Sequence, residues 1–216
     1  MRVCEFAGGR LAICVLPFGG PPLAAPVDSG ADVCPTWPRA AERAGGRRAL
    51  RTALHALGVA PGALGTAESG APQAPPGTQV SLTHRGRYAV AVAWHGGPAS
   101  RRVTGVGVDL ERRGQVPPGA MRLLCTEQEL AALRTEPSWL DPTRLFAAKE
   151  AVYKATSSSS GHGFRPRSLP LVPRGHRTAL CSPTAAASRT SLPDDTVCVV
   201  STQVGEWWTA LSLALA

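Results

Sequence analysis

The chain has 216 residues, of which 44% are hydrophobic and 18% are charged, and its 23 Lys and Arg against 15 Asp and Glu give a net charge of +8. This composition excludes a disordered chain, and the length predicts one large domain or two small lobes around a substantial core. No apolar run approaches the ~18–20 residues that span a bilayer, so we expect no membrane association.

The positive charge favours an acidic partner, with a solvated basic surface as the plainer alternative. The basic residues are scattered, and no aromatic residues are interleaved with them on a basic strand, so nucleic acid is not the expected partner. The cysteines also lie far apart, without the CxxC or Cys/His spacing of a zinc or dithiol centre. We therefore expect buried, reduced thiols in a cytoplasmic protein. The cysteines are Cys4, Cys14, Cys34, Cys125, Cys181 and Cys198.

The first predicted element is a β-strand at Leu11–Phe18. The same apolar run could serve as the core of a signal peptide. Because the charged Glu5 and Arg10 flank it, an opening strand explains it better.

An amphipathic helix follows at Glu42–Gly58, where leucines recur at helical spacing and the final glycine suits a C-cap. Arg47 and Arg51 are four residues apart and share a face of this helix. They could bind phosphate together, or they could be ordinary solvated arginines.

A Pro/Gly-rich loop at residues 58–79 leads to two predicted strands, Val80–His84 and Tyr88–Trp94. Gly96-Gly97-Pro98 then interrupts the chain. We therefore predict an N-terminal lobe at residues 1–100 and a C-terminal lobe at residues 101–216.

The second lobe is predicted to contain a strand, two helices, a polar connection and two closing strands. The helix starts are marked by Thr126 as an N-cap and by Asp141-Pro142. In chain order these elements are Arg101–Leu110, Leu123–Arg134, Thr143–Ala155, Ser157–Gly161, Thr196–Val200 and Trp207–Leu215.

Asp109 and Glu111 are two residues apart on a strand, so both carboxylates emerge from one face. The neighbouring Gly105 and Gly107 are expected to leave that face open. Two converging carboxylates repel each other unless a cation or a proton lies between them, and their hard oxygen ligands suit Mg²⁺. The alternative is an edge strand on which Glu111 pairs with an adjacent arginine.

On the predicted 143–155 helix, Glu150 and Lys154 are neighbours at i,i+4. They could form a simple helical ion pair. Alternatively, Glu150 could be a third metal ligand or a general base, while Lys149 and Lys154 neutralise phosphate charge. His84, just after a polar loop, could donate a hydrogen bond to phosphate, although a lone histidine is often structural.

The order and spacing of these residues resemble the two-lobed 4′-phosphopantetheinyl transferases, particularly the surfactin-type branch that includes the enterobactin-synthetase component D proteins. Three blocks carry the resemblance: a Gly-Arg-x-x-x-Arg helix at residues 46–58, a Ser-Leu-Thr-His strand at residues 81–84, and Gly107-Val-Asp-Leu-Glu111 followed by Phe146-Ala-Ala-Lys-Glu-Ala-Val-Tyr-Lys154.

The resemblance implies an α/β (α+β) fold of two similar lobes related by pseudo-twofold symmetry, each a small sheet packed with helices, with the active site in the cleft between them. It implies an enzyme that depends on Mg²⁺, or on Mn²⁺ in its place, and that works as a monomer. Such an enzyme passes phosphopantetheine from coenzyme A to a serine of an acidic apo acyl or peptidyl carrier protein, here for secondary metabolism.

The resemblance also assigns the site residues. Asp109, Glu111 and Glu150 are the implied metal ligands, and Glu150, Lys154 and Asp109 the implied catalytic residues. Glu127 stands at a second acidic position of the family pattern, although an ordinary glutamate at a helix terminus explains it as well. The implied coenzyme A contacts are Arg47, Arg51, Ser81, Thr83, His84 and Lys154.

The chain departs from the family pattern at Ala74, where tryptophan is usual, at Val80, where glycine is usual, and at Ser157–Ser160, where apolar and aromatic residues are usual. These changes put local loop packing and pantetheine contacts in question. The alternatives to a transferase are an inactive paralogue that binds coenzyme A or a carrier protein and, less favoured, a basic nucleic-acid-binding protein.

Overall fold

The structure is a computed structural model that describes residues 1–6, 8–17, 39–62, 64–67, 70–96, 103–160, 163–181 and 196–215. Within these residues the chain forms nine β-strands and four α-helices. In chain order they are β1 (Arg2–Phe6), β2 (Gly9–Pro17), α1 (Arg39–Ala56), β3 (Thr78–Arg85), β4 (Tyr88–Gly96), β5 (Val103–Arg112), α2 (Met121–Leu124), α3 (Glu127–Leu133), α4 (Pro142–Ser160), β6 (Leu171–Pro173), β7 (Thr178–Cys181), β8 (Val197–Val204) and β9 (Trp207–Leu215).

The first sheet has the antiparallel order β1-β2-β4-β3, and α1 packs on one of its faces. Side chains alternate along a strand, so Ala89, Ala91 and Ala93 of β4 all point at the helix. The helix approaches β3 closely at Gly46, where an added Cβ would lie 3.0 Å from a methyl group of Leu82.

The second sheet has the antiparallel order β5-β9-β8-β7-β6. The helix α4 covers one of its faces, and α2 and α3 contribute to the same apolar cluster. Trp139, Leu145 and Leu171 are completely buried in this core. Each large apolar side chain buried in this way contributes about 1.5–3 kcal/mol to the free energy of unfolding.

The remaining faces of the two sheets share a third apolar cluster. Val90 and Val92 of the first sheet meet Val106 and Val108 of the second there, so the layers run helix, sheet, sheet, helix. The strands β3 and β5 are edge strands of their sheets, and the backbone N–H of Val108 donates to Ser81 Oγ at 3.2 Å. Besides sharing this cluster, the two sheets are therefore also connected between β3 and β5.

The α+β architecture predicted from the sequence is confirmed, and each sheet is packed with its own helix or helices. The two sheets lie on either side of residues 97–102, which are outside the described residues, so the lobe boundary near residue 100 and the pseudo-twofold relation stay predictions. No helix in the described part of the chain is both long and apolar enough to cross a bilayer.

Two predicted elements were wrong. The predicted 123–134 helix is divided, because Cys125 is extended and Thr126 starts a new helix by accepting a hydrogen bond from the Glu129 N–H at 3.2 Å. The predicted connection at residues 157–161 is instead helical to Ser160, since neither glycine nor proline interrupts it before Gly161. The strands β1, β6 and β7 were not predicted.

Five of the six cysteines lie in the described part of the chain, and all five are free, which agrees with the prediction of reduced thiols. Cys14, Cys125 and Cys181 are buried and free, and Cys198 is free and half-buried. Burial raises the pKa of both Cys125 and Cys181 to about 12, which keeps them as thiols. Cys4 is free but exposed, and Cys34 lies outside the described residues.

Candidate active site

The acidic face of β5 is covered by α4, and two glycines make this approach possible. A Cβ at Gly105 would lie 1.9 Å from the carbonyl oxygen of Ala155, and one at Gly107 would lie 1.8 Å from that of Ala151. Two residues of a strand and four residues of a helix both span about 6 Å, so the close approach of glycine to helix backbone occurs at both glycines. The expectation that the glycines leave this face open was therefore wrong: they admit the helix backbone.

Asp109 lies next on the same face and is 4% exposed. Its Oδ1 accepts hydrogen bonds from Lys154 Nζ at 2.6 Å and from Thr83 Oγ1 at 3.0 Å. Lys154 Nζ also donates to the Val108 carbonyl at 3.2 Å. The other carboxylate oxygen, Oδ2, is buried and accepts no hydrogen bond from any described residue. Strands from both sheets and α4 thus converge on one carboxylate.

Glu111 is 7% exposed, and its Oε2 lies 3.0 Å from Nη2 of Arg85. The two atoms are close but poorly aligned, so within the described part of the chain this buried oxygen has no hydrogen bond. Burial, and then the charge of Asp109, raise the pKa of Glu111 to about 7, although Arg85 and Lys154 act in the opposite direction. Arg112, an alternative partner suggested by the sequence, instead pairs with Glu206.

Glu150 lies on α4 at the edge of this group and is half-buried. Burial raises its pKa, Lys154 lowers it and Asp109 raises it. The three carboxylates are therefore close enough to influence one another. No three His, Cys, Asp or Glu side chains among the described residues are grouped as a ready metal site, so the three-ligand set stays a prediction.

Ser81 and Thr83 are both buried on the face of β3 that meets β5. The Ser81 hydroxyl accepts from the backbone of Val108, and the Thr83 hydroxyl donates to Asp109. In this structure Ser81 joins the two sheets and Thr83 orients a carboxylate. Their predicted contact with coenzyme A stays a prediction.

The other predicted phosphate ligands lie towards α1. His84 Nδ1 is buried, 3.7 Å from Oε2 of Glu42, without an aligned hydrogen bond to any described group. Arg47 donates to the Leu64 carbonyl at 2.6 Å and to the Thr66 hydroxyl, so it fastens the loop that follows α1. Arg51, one turn further along, is exposed.

Lys149 has a structural position, which argues against the alternative that it neutralises phosphate charge. It is completely buried, and its ammonium group donates to Glu129 Oε2 at 2.8 Å and to the carbonyls of Leu124 and Pro166 at 2.9 Å. These three bonds use all of its donors. Glu127 is an exposed residue in the first turn of α3.

Sequence reasoning missed Arg85 altogether. A signal was present, because Thr83 and Arg85 alternate on β3 in the same way that Asp109 and Glu111 alternate on β5. The two strands lie next to each other, so Thr83 contacts Asp109 and Arg85 contacts Glu111.

The departures from the family pattern lie away from the carboxylates. Ala74 is exposed in the loop before β3, and Val80 packs into the α1 cluster opposite Ala93. Residues 157–160 extend the backbone of α4 by one turn. None of these positions changes the group formed by Asp109, Glu111 and Lys154.

The donor set fits a hard divalent cation. Asp109 Oδ2 and Glu111 Oε2 are buried carboxylate oxygens without hydrogen bonds from the described residues, and such atoms are costly unless a cation or proton satisfies them. Carboxylate oxygen is also the ligand that Mg²⁺ prefers. An anionic substrate at this cation would find Lys154 beside it.

Comparisons with known proteins agree in both halves of the chain. The sequence profile of the 4′-phosphopantetheinyl transferase superfamily matches residues 105–200, and that of the 4′-phosphopantetheinyl transferase N-terminal domain matches residues 38–94. Together the two matched ranges include every metal, phosphate and catalytic residue predicted from the sequence.

Three curated proteins are similar to part of the chain. It is 39% identical over 112 residues to 4′-phosphopantetheinyl transferase Npt of Nocardia iowensis, covering 51% of this chain and 49% of that protein. It is 40% identical over 116 residues to Svp of Streptomyces mobaraensis, covering 50% and 44%. It is 39% identical over 113 residues to PptT of Mycobacterium tuberculosis, covering 50% and 47%. The chain spans about half the length of the curated relatives it matches.

Proposed function

Because the chain belongs to the 4′-phosphopantetheinyl transferase superfamily, we propose that it transfers 4′-phosphopantetheine from coenzyme A to a serine of an apo carrier protein. The products are holo-carrier protein and 3′,5′-ADP. The observation that carries the proposal is the buried pair of Asp109 and Glu111, with unsatisfied oxygens, beside Lys154 where the two sheets meet.

Asp109, Glu111 and Glu150 would hold Mg²⁺, or Mn²⁺ in its place. The unsatisfied oxygens of Asp109 and Glu111 support this assignment. Glu150 is included because the family resemblance implies it, and the charges of Glu150 and Asp109 each contribute to the raised pKa of Glu111. When bound, the cation neutralises charge on the pyrophosphate of coenzyme A.

The basic residues would bind and orient coenzyme A. Lys154 is fixed by Asp109 and the Val108 carbonyl, so its charge stays at the carboxylate group. Arg51 is exposed, and His84 Nδ1, although near Glu42, makes no aligned hydrogen bond with a described group, so both would be available to phosphate. Arg47 would contact phosphate from α1, where it also holds the following loop through Leu64 and Thr66.

In the transfer, the serine oxygen forms a bond to the phosphorus that carries pantetheine. The bond from that phosphorus to the bridging oxygen breaks, and 3′,5′-ADP leaves with the electron pair. Glu150 takes the serine proton, directly or through a water.

The carrier protein is proposed to be acidic, because the +8 charge of the chain would attract it. Secondary metabolism, with polyketide, nonribosomal-peptide or siderophore carriers, is the proposed setting, and a monomer the proposed state. These assignments are tested by the choice of carrier proteins and by mass measurement in solution.

The proposed reaction is tested by incubating the protein with coenzyme A, Mg²⁺ and a panel of apo-carrier proteins, followed by intact-mass analysis. We expect a mass increase of one phosphopantetheine, located on a serine, that is lost with a chelator and restored by added Mg²⁺. Binding of coenzyme A with no transfer to any carrier would instead favour a non-catalytic paralogue.

A further inference from the structure

Arg85 is a cation that the first sheet supplies to a carboxylate of the second. It is the last residue of β3, held by pairing with Tyr88 of β4, and its guanidinium lies 3.0 Å from Glu111 Oε2. The Arg85 side chain is 39% exposed, whereas that of Glu111 is 10% exposed. A half-solvated charge thus faces a buried one.

This contact can be broken easily. The guanidinium is close to Glu111 but not aligned for a hydrogen bond, and exposed ion pairs contribute little because water competes for them. The arginine stem is long, and its strand ends at this residue, so the head group can move into solvent while β3 stays paired.

A divalent cation on Glu111 would compete with this arrangement. Mg²⁺ binds carboxylate oxygen at about 2.1 Å, so a cation on Oε2 would lie within about 5 Å of the guanidinium if Arg85 stayed in place. Two positive charges that close repel each other strongly at a partly buried site.

We infer that Arg85 occupies Glu111 in the metal-free protein and must be displaced when a divalent cation binds, so that it sets the metal affinity of the site. This inference rests on the proposed function, because it takes Glu111 as a metal ligand. It makes Arg85 a residue that weakens metal binding by competing for its ligand.

The test is a titration of the chelator-treated protein with Mn²⁺ alone, in which electron paramagnetic resonance counts the free ion. Arg85→Gln removes the charge and keeps much of the length. Arg87→Gln is the matched control, because Arg87 is exposed in the adjoining turn and its replacement removes an equal charge. Asp109→Asn in each background identifies the site.

We expect Arg85→Gln to bind Mn²⁺ about fivefold more tightly than wild type, and Arg87→Gln to stay within about twofold. Asp109→Asn should abolish the tight binding in both. Equal affinities of the Arg85→Gln and Arg87→Gln variants would show only a general charge effect and overturn the inference. Weaker binding by Arg85→Gln would overturn it too, as would Mn²⁺ binding by neither variant.

The titration contains no coenzyme A and no carrier protein, so its failure is separate from failure of the proposed function. If the protein transfers phosphopantetheine but the Arg85→Gln and Arg87→Gln variants bind Mn²⁺ equally, the competition by Arg85 is refuted and the proposed transferase activity stands. If Arg85→Gln binds Mn²⁺ more tightly but no carrier protein is modified, the competition by Arg85 stands and the proposed transferase activity is refuted.

Discussion

Two ionic clusters lie against α4, and they differ in how completely their charges are satisfied. In the closed cluster, Lys149 uses three donors, and Glu129 accepts from Lys149 with one oxygen and from the Leu171 N–H with the other. In the open cluster, Asp109 and Glu111 each keep a buried oxygen without a hydrogen bond from any described residue.

The difference separates a structural role from a functional one. A fully bonded buried pair holds its surroundings in one arrangement, and here it ties α3, α4 and β6 together. A partly bonded pair of carboxylates carries a desolvation cost that a ligand can relieve. The closed cluster therefore belongs to the scaffold, and the open cluster is the candidate site.

Replacement of the two lysines tests this separation most severely. Lys149→Met should lower the free energy of unfolding by about 3–5 kcal/mol, because Glu129 is left buried and unpaired. Lys154→Met should cost less, about 1–3 kcal/mol, because the Lys154 side chain is 27% exposed and the buried Asp109 keeps its hydrogen bond from Thr83.

Both lysine variants are compared by urea unfolding followed by circular dichroism. The same substitution is made on one helix, so helix propensity changes equally in the two proteins. If both unfolded at the same urea concentration, the two clusters would have equal structural weight and the distinction would be wrong.

Asp109→Asn tests whether the open cluster is needed for activity. It removes the charge and keeps the shape, so transfer to the carrier protein should fall by about 100- to 1000-fold while the unfolding midpoint stays near that of wild type. The measurement is the initial rate of holo-carrier formation by intact mass.

Glu127→Gln is the control for Asp109→Asn, because Glu127 is an exposed acid at the start of α3. It should change the rate by less than about twofold. A large loss of rate in Glu127→Gln would mean that Glu127 acts at the second acidic position of the family pattern. The site would then extend beyond β5 and α4.

Much of the site could be predicted, because strand and helix periods fix which side chains share a face. The two-residue spacing placed Asp109 and Glu111 together, and the start of α4 followed from Asp141-Pro142, where Asp141 caps the helix through the N–H groups of Thr143 and Arg144. Such signals involve residues that are close together in the chain, so they can be recognised in a single sequence.

The remaining features depend on contacts between distant parts of the chain. Lys149 and Lys154 are alike in sequence, and only the position of Glu129, twenty residues earlier, gives Lys149 its structural role. Arg85 was missed because its partner belongs to the other sheet. The glycines of β5 were misread because their neighbour is the backbone of α4 rather than a side chain.

The pH dependence of stability gives the most specific test of the open cluster. The pKa of Glu111 is raised to about 7, from 4.5, by burial and by Asp109. Between these values the folded protein holds a proton that the unfolded chain has lost, so unfolding releases a proton and becomes easier as pH rises.

We therefore expect the contribution of Glu111 to the free energy of unfolding to decrease by about 3 kcal/mol as pH rises from about 4.5 to 7, and to stay constant above that range. The measurement is urea unfolding in chelator at a series of pH values, with Glu111→Gln as the reference. Glu150, whose pKa is also raised, acts in the same direction and is present in both proteins, so the difference between the two curves reports Glu111 and its coupling to the neighbouring carboxylates. Parallel curves would mean that Glu111 is ionised throughout this range, with its charge already compensated by Arg85 and Lys154, and that Asp109 alone accounts for the unsatisfied character of the cluster.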